Sequence, residues 1–457
     1  MVHFLANSSR RGTGLNTFKA SKRKVSAVTL ELNIESISEQ GQGIAKHHGK
    51  VVFVRGAMVG ERVTATVVAS HKNYDQAVCK KVLQPSSARQ QARCEHFTDC
   101  GGCQLQHIDY RAQLAFKSEL AISKLQHLLP ALDRATVVAE PINSAPFGYR
   151  HRARMSVSAD KGGCTLGFKK SGSHTIAAIR YCDVLMPALA ALIPVLQQLI
   201  SRLKKRSFIQ QLLLLEDSSG ALFVQLMGSK ALPDEDIAAL ADYSASSAVQ
   251  LQYYDSSSVL TRWRSSTKTP YYRNASLGLG FEYDIDDFTQ VNPQVNEAMI
   301  KQALCWLDLS AADRVADFFC GMGNISLAMA GSVASLQGYE LDNNMVEKAR
   351  VNAQANDLGN CAFEVADLFS GNSIAASGLS KVVLDPPRAG AELLCRQLAQ
   401  WPLESILYIS CNGATFFRDA EILLAAGYAV TNFGLLDMFP QTEHVEMMAL
   451  FERPVTP

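Results

Sequence analysis

The sequence predicts an α/β protein in three parts: a small N-terminal β-barrel of OB-like type over residues 25–86, an α+β central domain over 87–272, and a doubly wound, Rossmann-like domain over 273–457. Three observations carry this. Short apolar alternations between Val28 and Val68 are separated by glycine turns, as in a small barrel. A mixed helix-and-strand segment follows and holds a cluster of cysteines. From about Phe281 onward, short apolar runs alternate with helical stretches in the rhythm of βαβ units. A chain of 457 residues has the length for several domains, each with its own core.

Residues 1–24 come first. They carry Arg10, Arg11, Lys19, Lys22, Arg23 and Lys24, no acidic residue, and much Ser, Asn, Thr and Gly. Because the whole chain nets only +1, the remainder is net acidic. A basic flexible arm of this kind suits contact with phosphate backbones, although it also serves solubility. The barrel is then read from Val28 to Glu35, Val51 to Val54 and Arg62 to Val68, with turns at Gln40-Gly41-Gln42-Gly43, His48-Gly49 and Met58-Val59-Gly60. Pro85 to Arg89 reads as a linker.

In the central part, Tyr110 to Leu128 and Ala188 to Leu203 read as helices. Arg150 to Val157, Thr165 to Phe168, Phe208 to Leu215 and Ala221 to Leu226 read as strands, and the polar stretch Ser244 to Thr269 as a hairpin. The most apolar segment, Leu185 to Ile200, holds Pro187, Pro194 and Gln197-Gln198, so it reads as an amphipathic helix and not a membrane span. A composition of 47% hydrophobic and 19% charged residues is that of an ordinary globular protein. The N-terminus lacks the apolar core of a secretory signal, and eleven cysteines in such a chain imply thiols, metal ligands or catalysis in place of a disulfide framework, which points to the cytoplasm.

In the last part, Val315 to Phe319, Ser335 to Glu340, Cys361 to Val365, Lys381 to Asp385, Ser405 to Ser410 and Ala429 to Leu436 are the expected strands, with Met447 to Phe451 closing the sheet. Asp317-Phe318-Phe319-Cys320-Gly321-Met322-Gly323-Asn324 follows the first strand and opens a helix, whose free N–H groups and glycine turn favour close ligand approach. Ser326 stands where a dinucleotide fingerprint needs its third glycine. Glu340 ends the next strand, where a carboxylate suits ribose hydroxyls, and Asp367 and Asp385 follow in order. This acid-rich arrangement resembles the S-adenosylmethionine site of class I methyltransferases. In an open α/β sheet chemistry sits beyond the C-terminal strand ends, and Ser410-Cys411-Asn412 and Asp385-Pro386-Pro387-Arg388 fall there. Cys411 is thus placed as a nucleophile, although position alone allows a small buried hydrophobe.

Cys94-x5-Cys100-Gly101-Gly102-Cys103 puts three thiols within ten residues. A fourth ligand is needed, and Cys164 and Cys182 are the candidates. Zinc and an iron–sulfur cluster both accept four cysteines, but the C-x5-C spacing is not that of zinc knuckles.

These motifs together resemble the bacterial RNA uracil-5-methyltransferases over nearly the whole chain, in particular the 23S rRNA branch that methylates uracil 1939. The resemblance rests on the Cys94, Cys100-Gly-Gly-Cys103 box and Cys182, on Phe288-Thr289-Gln290-Val291-Asn292, on the Phe319 to Asn324 loop, on Asp385 to Arg388, on Ser410 to Asn412, and on Asp437-Met438-Phe439-Pro440 with His444-Val445-Glu446. It implies a TRAM RNA-binding barrel and a [4Fe–4S] cluster held by Cys94, Cys100, Cys103 and Cys182, with Cys164 a spectator. It implies S-adenosylmethionine contacts at Gln290, Phe319, Asn324, Glu340, Asp367 and Asp385, a nucleophile at Cys411 and a general base at Glu446. Glu443 departs from the pattern by adding a second carboxylate near the base.

The chemistry fits the residue types. C5 of uracil is a weak nucleophile until a thiolate adds to C6, and a base must then remove the C5 proton. The uridine must be single-stranded or flipped from its stack, and Tyr149, Phe168 and Phe288 are candidate stacking residues. Arg388 is a candidate partner for the thiolate or for a phosphate. A single chain working on 23S rRNA, with no membrane and no protein partner, is expected. The rival readings are a methyltransferase for another rRNA or tRNA uridine, a non-catalytic RNA-binding factor, and a radical enzyme, whose usual C-x3-C-x2-C box is not present.

Overall fold

The computed structural model describes residues 28–160, 163–255, 262–370, 374 and 378–454; the basic arm expected over 1–24 lies outside them. The chain divides into two compact units, Met1–Ser87 and Ala88–Pro457.

The first unit is all β: β1 (Thr29–Asn33), β2 (Ser36–Ile37), β3 (Gly43–His47), β4 (Lys50–Arg55), β5 (Arg62–Ser70) and β6 (Tyr74–Gln84), in the order β1-β5-β6-β4-β3-β2. Alternation sends Val63, Ala65 and Val67 of β5 inward beside Leu32, Val52, Val54 and Ala77. Register shifts along the β5–β6 pair bend the sheet, and Ile34 N–H to Glu61 O and Glu35 N–H to Ile44 O, each 2.8 Å, tie its two ends together.

The second unit begins with α1 (Tyr110–Leu128) and α2 (Arg134–Val137). A seven-stranded sheet follows, in the order β13-β12-β11-β10-β7-β8-β9. It is built from β7 (Arg152–Asp160), β8 (Gly163–Lys169), β9 (Ile176–Ala178), β10 (Ile209–Glu216), β11 (Leu222–Gly228), β12 (Gln250–Asp255) and β13 (Arg262–Arg264). It is covered by α3 (Pro187–Arg202), which buries Leu189, Ile193, Leu196 and Ile200 at helical spacing. No helix among the described residues is long and apolar enough to cross a membrane. The hairpin expected over Ser244 to Thr269 is shorter than read: β12 and β13 pair antiparallel, but Ser244 to Ser247 end a helix, α4 (Asp234–Ser247). Asp234, Glu235 and Asp236 in its first turn complement the helix dipole, a start signal that the serine-rich end obscured.

A small hairpin, β14 (Tyr271–Asn274) with β15 (Leu279–Glu282), and α5 (Pro293–Leu307) lead into the second seven-stranded sheet. Its elements are β16 (Arg314–Phe318), α6 (Ser326–Ala330), β17 (Ser335–Glu340), α7 (Asn343–Ala355), β18 (Cys361–Val365), β19 (Lys381–Leu384), α8 (Glu392–Leu398), β20 (Ser405–Ser410), α9 (Gly413–Ala425), β21 (Ala429–Leu436) and β22 (Glu446–Glu452). The order is β18-β17-β16-β19-β20-β22-β21. The first five are parallel, and β19 and β20 are buried along their whole length, as apolar runs without alternation require. One expectation changes: β22 does not close the sheet at an edge. It inserts between β20 and β21, antiparallel to both, because the short Asp437–Val445 connection returns the chain beside β21.

Candidate active site

Parallel pairing of β16, β19 and β20 brings their C-terminal ends to one edge. Cys411 leaves β20 there. Its turn is pinned by Asn412, which caps α9 by accepting the Ala414 N–H at 3.1 Å and donates from Nδ2 to the Arg388 carbonyl at 2.8 Å; the Thr415 hydroxyl donates to the same carbonyl at 3.2 Å. The β19 turn that carries Asp385 and Arg388 is therefore fixed to the turn that carries Cys411. The Ser410–Met447 pair is the last of the β20–β22 ladder, and the next residues on the two strands, Cys411 and Glu446, lie close enough for their charges to interact. The insertion of β22 is what makes these two residues neighbours.

The charges are unbalanced. Burial raises the Cys411 thiol, Glu446 and Asp385 raise it further, and Arg388 opposes them. Burial pushes Glu446 up to about 8, with Asp385 and Asp437 adding to the shift and Arg388 and Lys117 opposing it. Burial likewise pushes Asp385 up to about 7. Arg388 is exposed at the rim. Glu443 is half-buried, and burial raises it too, with Lys117 opposing the shift.

Past β16 the backbone turns through positive φ at Phe319 (65°), Gly321 (54°) and Gly323 (92°). A side chain is tolerated at Phe319 because its N–H is held by the Tyr339 carbonyl at 2.9 Å. Glu340 accepts from the N–H groups of Gly321 at 3.2 Å, Leu341 at 2.7 Å and Asp342 at 3.0 Å, so it fastens the glycine loop to the end of β17. A carboxylate has about four acceptor sites, which leaves capacity for a ligand hydroxyl. Asn324 forms a reciprocal amide pair with Asn296 of α5 at 2.9 and 3.1 Å. Gln290 precedes that helix, in a segment clamped by Arg152, which donates to the carbonyls of Ile285 and Asp287. Asp367 is exposed beyond β18, and the exposed Leu341 and Phe369 flank this edge, Phe369 packing 5.6 Å from the Phe319 ring. The three aromatic candidates differ: Phe288 is 68% exposed, Phe168 packs on the central core, and Tyr149 is buried with its hydroxyl on the Pro440 carbonyl at 3.0 Å.

Cys94, Cys100, Cys103 and Cys182 lie within electrostatic reach of one another. Burial pushes Cys103 up to about 12 and Cys182 up to about 11, and the neighbouring thiols add to both. Cys164 sits inside β8 and is coupled to none of them. Among the described residues no group of three or more His, Cys, Asp or Glu is drawn together as tightly as a single metal ion needs. Four desolvated thiols are gathered there, and positive charge between them would favour their ionisation. Beside Cys100 the Gly101 N–H donates to the Lys169 carbonyl at 3.0 Å, and a Cβ at Gly101 would meet that oxygen at 2.7 Å, so the loop packs closely on the end of β8.

Comparison with known proteins places the chain in a family. The family described as tRNA (Uracil-5-)-methyltransferase matches residues 109–454, and the TRAM domain matches 28–78. A 23S rRNA (uracil(1939)-C(5))-methyltransferase RlmD of Pseudoalteromonas translucida is 37% identical over 441 residues, covering 95% of this chain and 99% of the relative. That of Pectobacterium atrosepticum is 37% identical, covering 94% and 95%. The chain belongs to the uracil-5-methyltransferase family. Its fold agrees with that of a solved family structure, the Pyrococcus abyssi tRNA (uracil-54, C5)-methyltransferase in complex with S-adenosyl-L-homocysteine, at a TM-score of 0.71 and 23% identity, covering 92% of this chain and all of that one.

Sequence reasoning missed what holds the family's last loop, Asp437–Val445, between β21 and β22. Lys117 of α1 is buried and donates to Asp437 at 2.7 Å and to the Phe439 carbonyl at 3.1 Å. Tyr110 donates to the other Asp437 oxygen at 2.9 Å. Gln441, at φ 71°, has its carbonyl held by the N–H groups of Gln104 and Leu105 and its N–H held by Gln113. The available signal was a polar stripe at i, i+3 and i+7, Tyr110, Gln113 and Lys117, on the face of α1 that continues as buried Ala121 and Leu125.

Proposed function

We propose that this protein methylates C5 of a specific uridine in 23S rRNA, position 1939 in the numbering of its relatives, through a covalent Cys411–C6 adduct. The observation that supports this chemistry is the β20–β22 register, whose last pair, Ser410–Met447, stands directly beside the Cys411 thiol and the buried Glu446 carboxylate. Bound S-adenosylmethionine supplies the methyl group as an electrophilic sulfonium. The glycine loop at Phe319 to Asn324 would hold it, with Glu340 on the ribose, Asp367 beside Leu341 and Phe369 for the purine, and Gln290 and Asp385 toward the sulfonium end.

The Cys411 thiolate adds to C6 and pushes an electron pair to C5, which bonds to the methyl carbon as the S–CH3 bond breaks, its electron pair leaving with sulfur as neutral S-adenosylhomocysteine. Glu446 as carboxylate then takes the C5 proton, the C5–C6 double bond reforms, and the thiolate leaves. Arg388 favours the thiolate and lies at the rim where a nucleotide phosphate would pass. The exposed ring of Phe288 suits stacking on an unpaired base. Cys94, Cys100, Cys103 and Cys182 would hold a [4Fe–4S] cluster, which shapes the Cys94–Cys103 loop and takes no part in methyl transfer. Protein prepared without oxygen should be brown and contain about four irons per chain if one such cluster is bound; colourless, zinc-loaded protein would refute that assignment.

The function is tested by methylating deproteinised 23S rRNA in vitro and mapping the product. A single m5U at 1939, absent with Cys411→Ala, is expected. Methylation only elsewhere, or of tRNA, the RNA for which the family is named, would refute the substrate. An adduct with 5-fluorouridine RNA is expected, and its persistence in Cys411→Ala would refute the mechanism.

A further inference from the structure

We infer that the buried face of α1 is a clamp that positions Glu446 for the proton-removal step, with Lys117 and Gln113 as its positioning residues; this rests on the reading of Glu446 as base. Glu446 follows directly on the Asp437–Val445 loop, so the geometry of that loop sets where its carboxylate points. Most of the loop's buried polar contacts are with α1 and with the segment just after the cysteine box; Tyr149 adds one by donating to the Pro440 carbonyl at 3.0 Å, and the Asp437 N–H another by donating to the Ile142 carbonyl at 2.8 Å.

Lys117 and Asp437 have fully buried side chains, and their 2.7 Å ion pair spans 320 residues of sequence. Buried pairs of this kind are rarely retained for stability, because two ions must be desolvated to form them, and apolar replacements of similar volume usually fold as well or better. A fixed geometry is what such a pair supplies. Lys117 also reaches the Phe439 carbonyl, so a single ammonium joins the first and third residues of the loop. Gln113 grips Gln441 twice, accepting its N–H at 3.2 Å and donating to its side-chain oxygen at 3.0 Å, while Gln104 and Leu105 hold its carbonyl at 3.0 Å each. Gln441 is thereby kept in a left-handed conformation that glutamine rarely adopts.

The ammonium serves the base a second way. Glu446 is faced by Asp385 from the β19 turn, by Arg388 from the same turn, by Asp437 from the end of β21, by Cys411 from β20 and by Lys117 from α1. Lys117 is the cation enclosed on the protein side, whereas Arg388 lies at the rim. Among the described residues the side-chain hydrogen bonds of Lys117 and Gln113 run to Leu105, Ile108 and the Asp437–Val445 loop, so the clamp bears on the second half of the reaction.

The test uses the full chain and two variants: the double replacement Lys117→Met with Asp437→Leu, which removes both charges together, and Gln113→Leu, which loosens Gln441 with no change of charge. Both are expected to form the adduct with 5-fluorouridine RNA at a rate within about twofold of wild type. Turnover of ordinary uridine RNA should fall at least tenfold, with KM changed less than threefold, and the methylated covalent intermediate should be trappable. Equal loss of adduct formation and turnover, including loss through misfolding of both variants, would overturn the clamp, as would unchanged turnover in either variant. Absence of an adduct in the wild-type protein would remove the reading of Cys411 and Glu446, and the clamp with it.

Discussion

At the scale of residues the site is a question of where protons rest. Glu446 is held up to about 8 by burial and by Asp385, so at neutral pH most of it is protonated before RNA binds. A base must be the carboxylate, hence turnover limited by proton removal should rise with pH, reach half its maximum near 8 and level off above that. Glu446→Gln should lower turnover about 10²–10⁴-fold, the usual range for loss of a general base, while 5-fluorouridine RNA still forms an adduct. A flat pH profile would deny Glu446 the role. Asp385 connects the base to the nucleophile, since its charge raises both Cys411 and Glu446. A cation beside Asp385 cancels that effect and favours the thiolate. Alkylation of the Cys411 peptide should therefore titrate at lower pH with S-adenosylmethionine bound, and less so with S-adenosylhomocysteine, which lacks the sulfonium. An identical midpoint with both would exclude the coupling. Cys411, Asp385 and Glu446 were legible in the sequence because each sits at a strand end in a recognisable motif. Lys117 was not, because its partner lies 320 positions away.

At the scale of elements, the legible parts were those whose signal is local. Ser335–Glu340, Cys361–Val365, Ser405–Ser410 and Ala429–Leu436 read directly as strands, since buried parallel strands are short apolar runs between helices. Pairing is not local: nothing in the composition of Glu446–Glu452 says that it lies between β20 and β21. Nor did the serine-rich end of α4 announce a helix. Close packing between elements also gives a sharp test at β17. A Cβ at Gly338 would stand 2.4 Å from the Phe363 ring and 3.0 Å from the Cys320 sulfur, with the glycine loop just beyond. Gly338→Ala should cost about 1–3 kcal/mol, typical of overpacking, and weaken S-adenosylmethionine binding more than RNA binding. Unaltered unfolding and cofactor affinity would show that β18 yields without strain.

At the scale of the whole molecule, the barrel of the first unit has a hydrophobic core drawn only from its own residues. A chain lacking residues 1–87 is expected to fold and to bind S-adenosylmethionine. Its RNA affinity should be lower and should vary less steeply with salt, because fewer lysines and arginines displace counterions from the RNA. An unchanged salt slope would mean that the first unit contributes no phosphate contacts. The separation into a barrel and a larger α/β unit was readable from the change in strand rhythm and from the Pro85–Arg89 linker. What the sequence left open was how the cysteine segment serves the catalytic edge; in the structure Gln104 and Leu105, just past Cys103, hold the carbonyl of Gln441.

The insertion of β22 has a consequence for synthesis. A ribosome delivers β20 and Cys411 well before Glu446, and domains begin to fold as they emerge. Until Glu446–Glu452 arrives, β20 is an edge strand with its pairing groups open, and the nucleophile faces no base. The order of translation therefore leaves an unfinished chain without its proposed base, unable to complete a methylation cycle, and the same strand that conceals the exposed edge delivers that base.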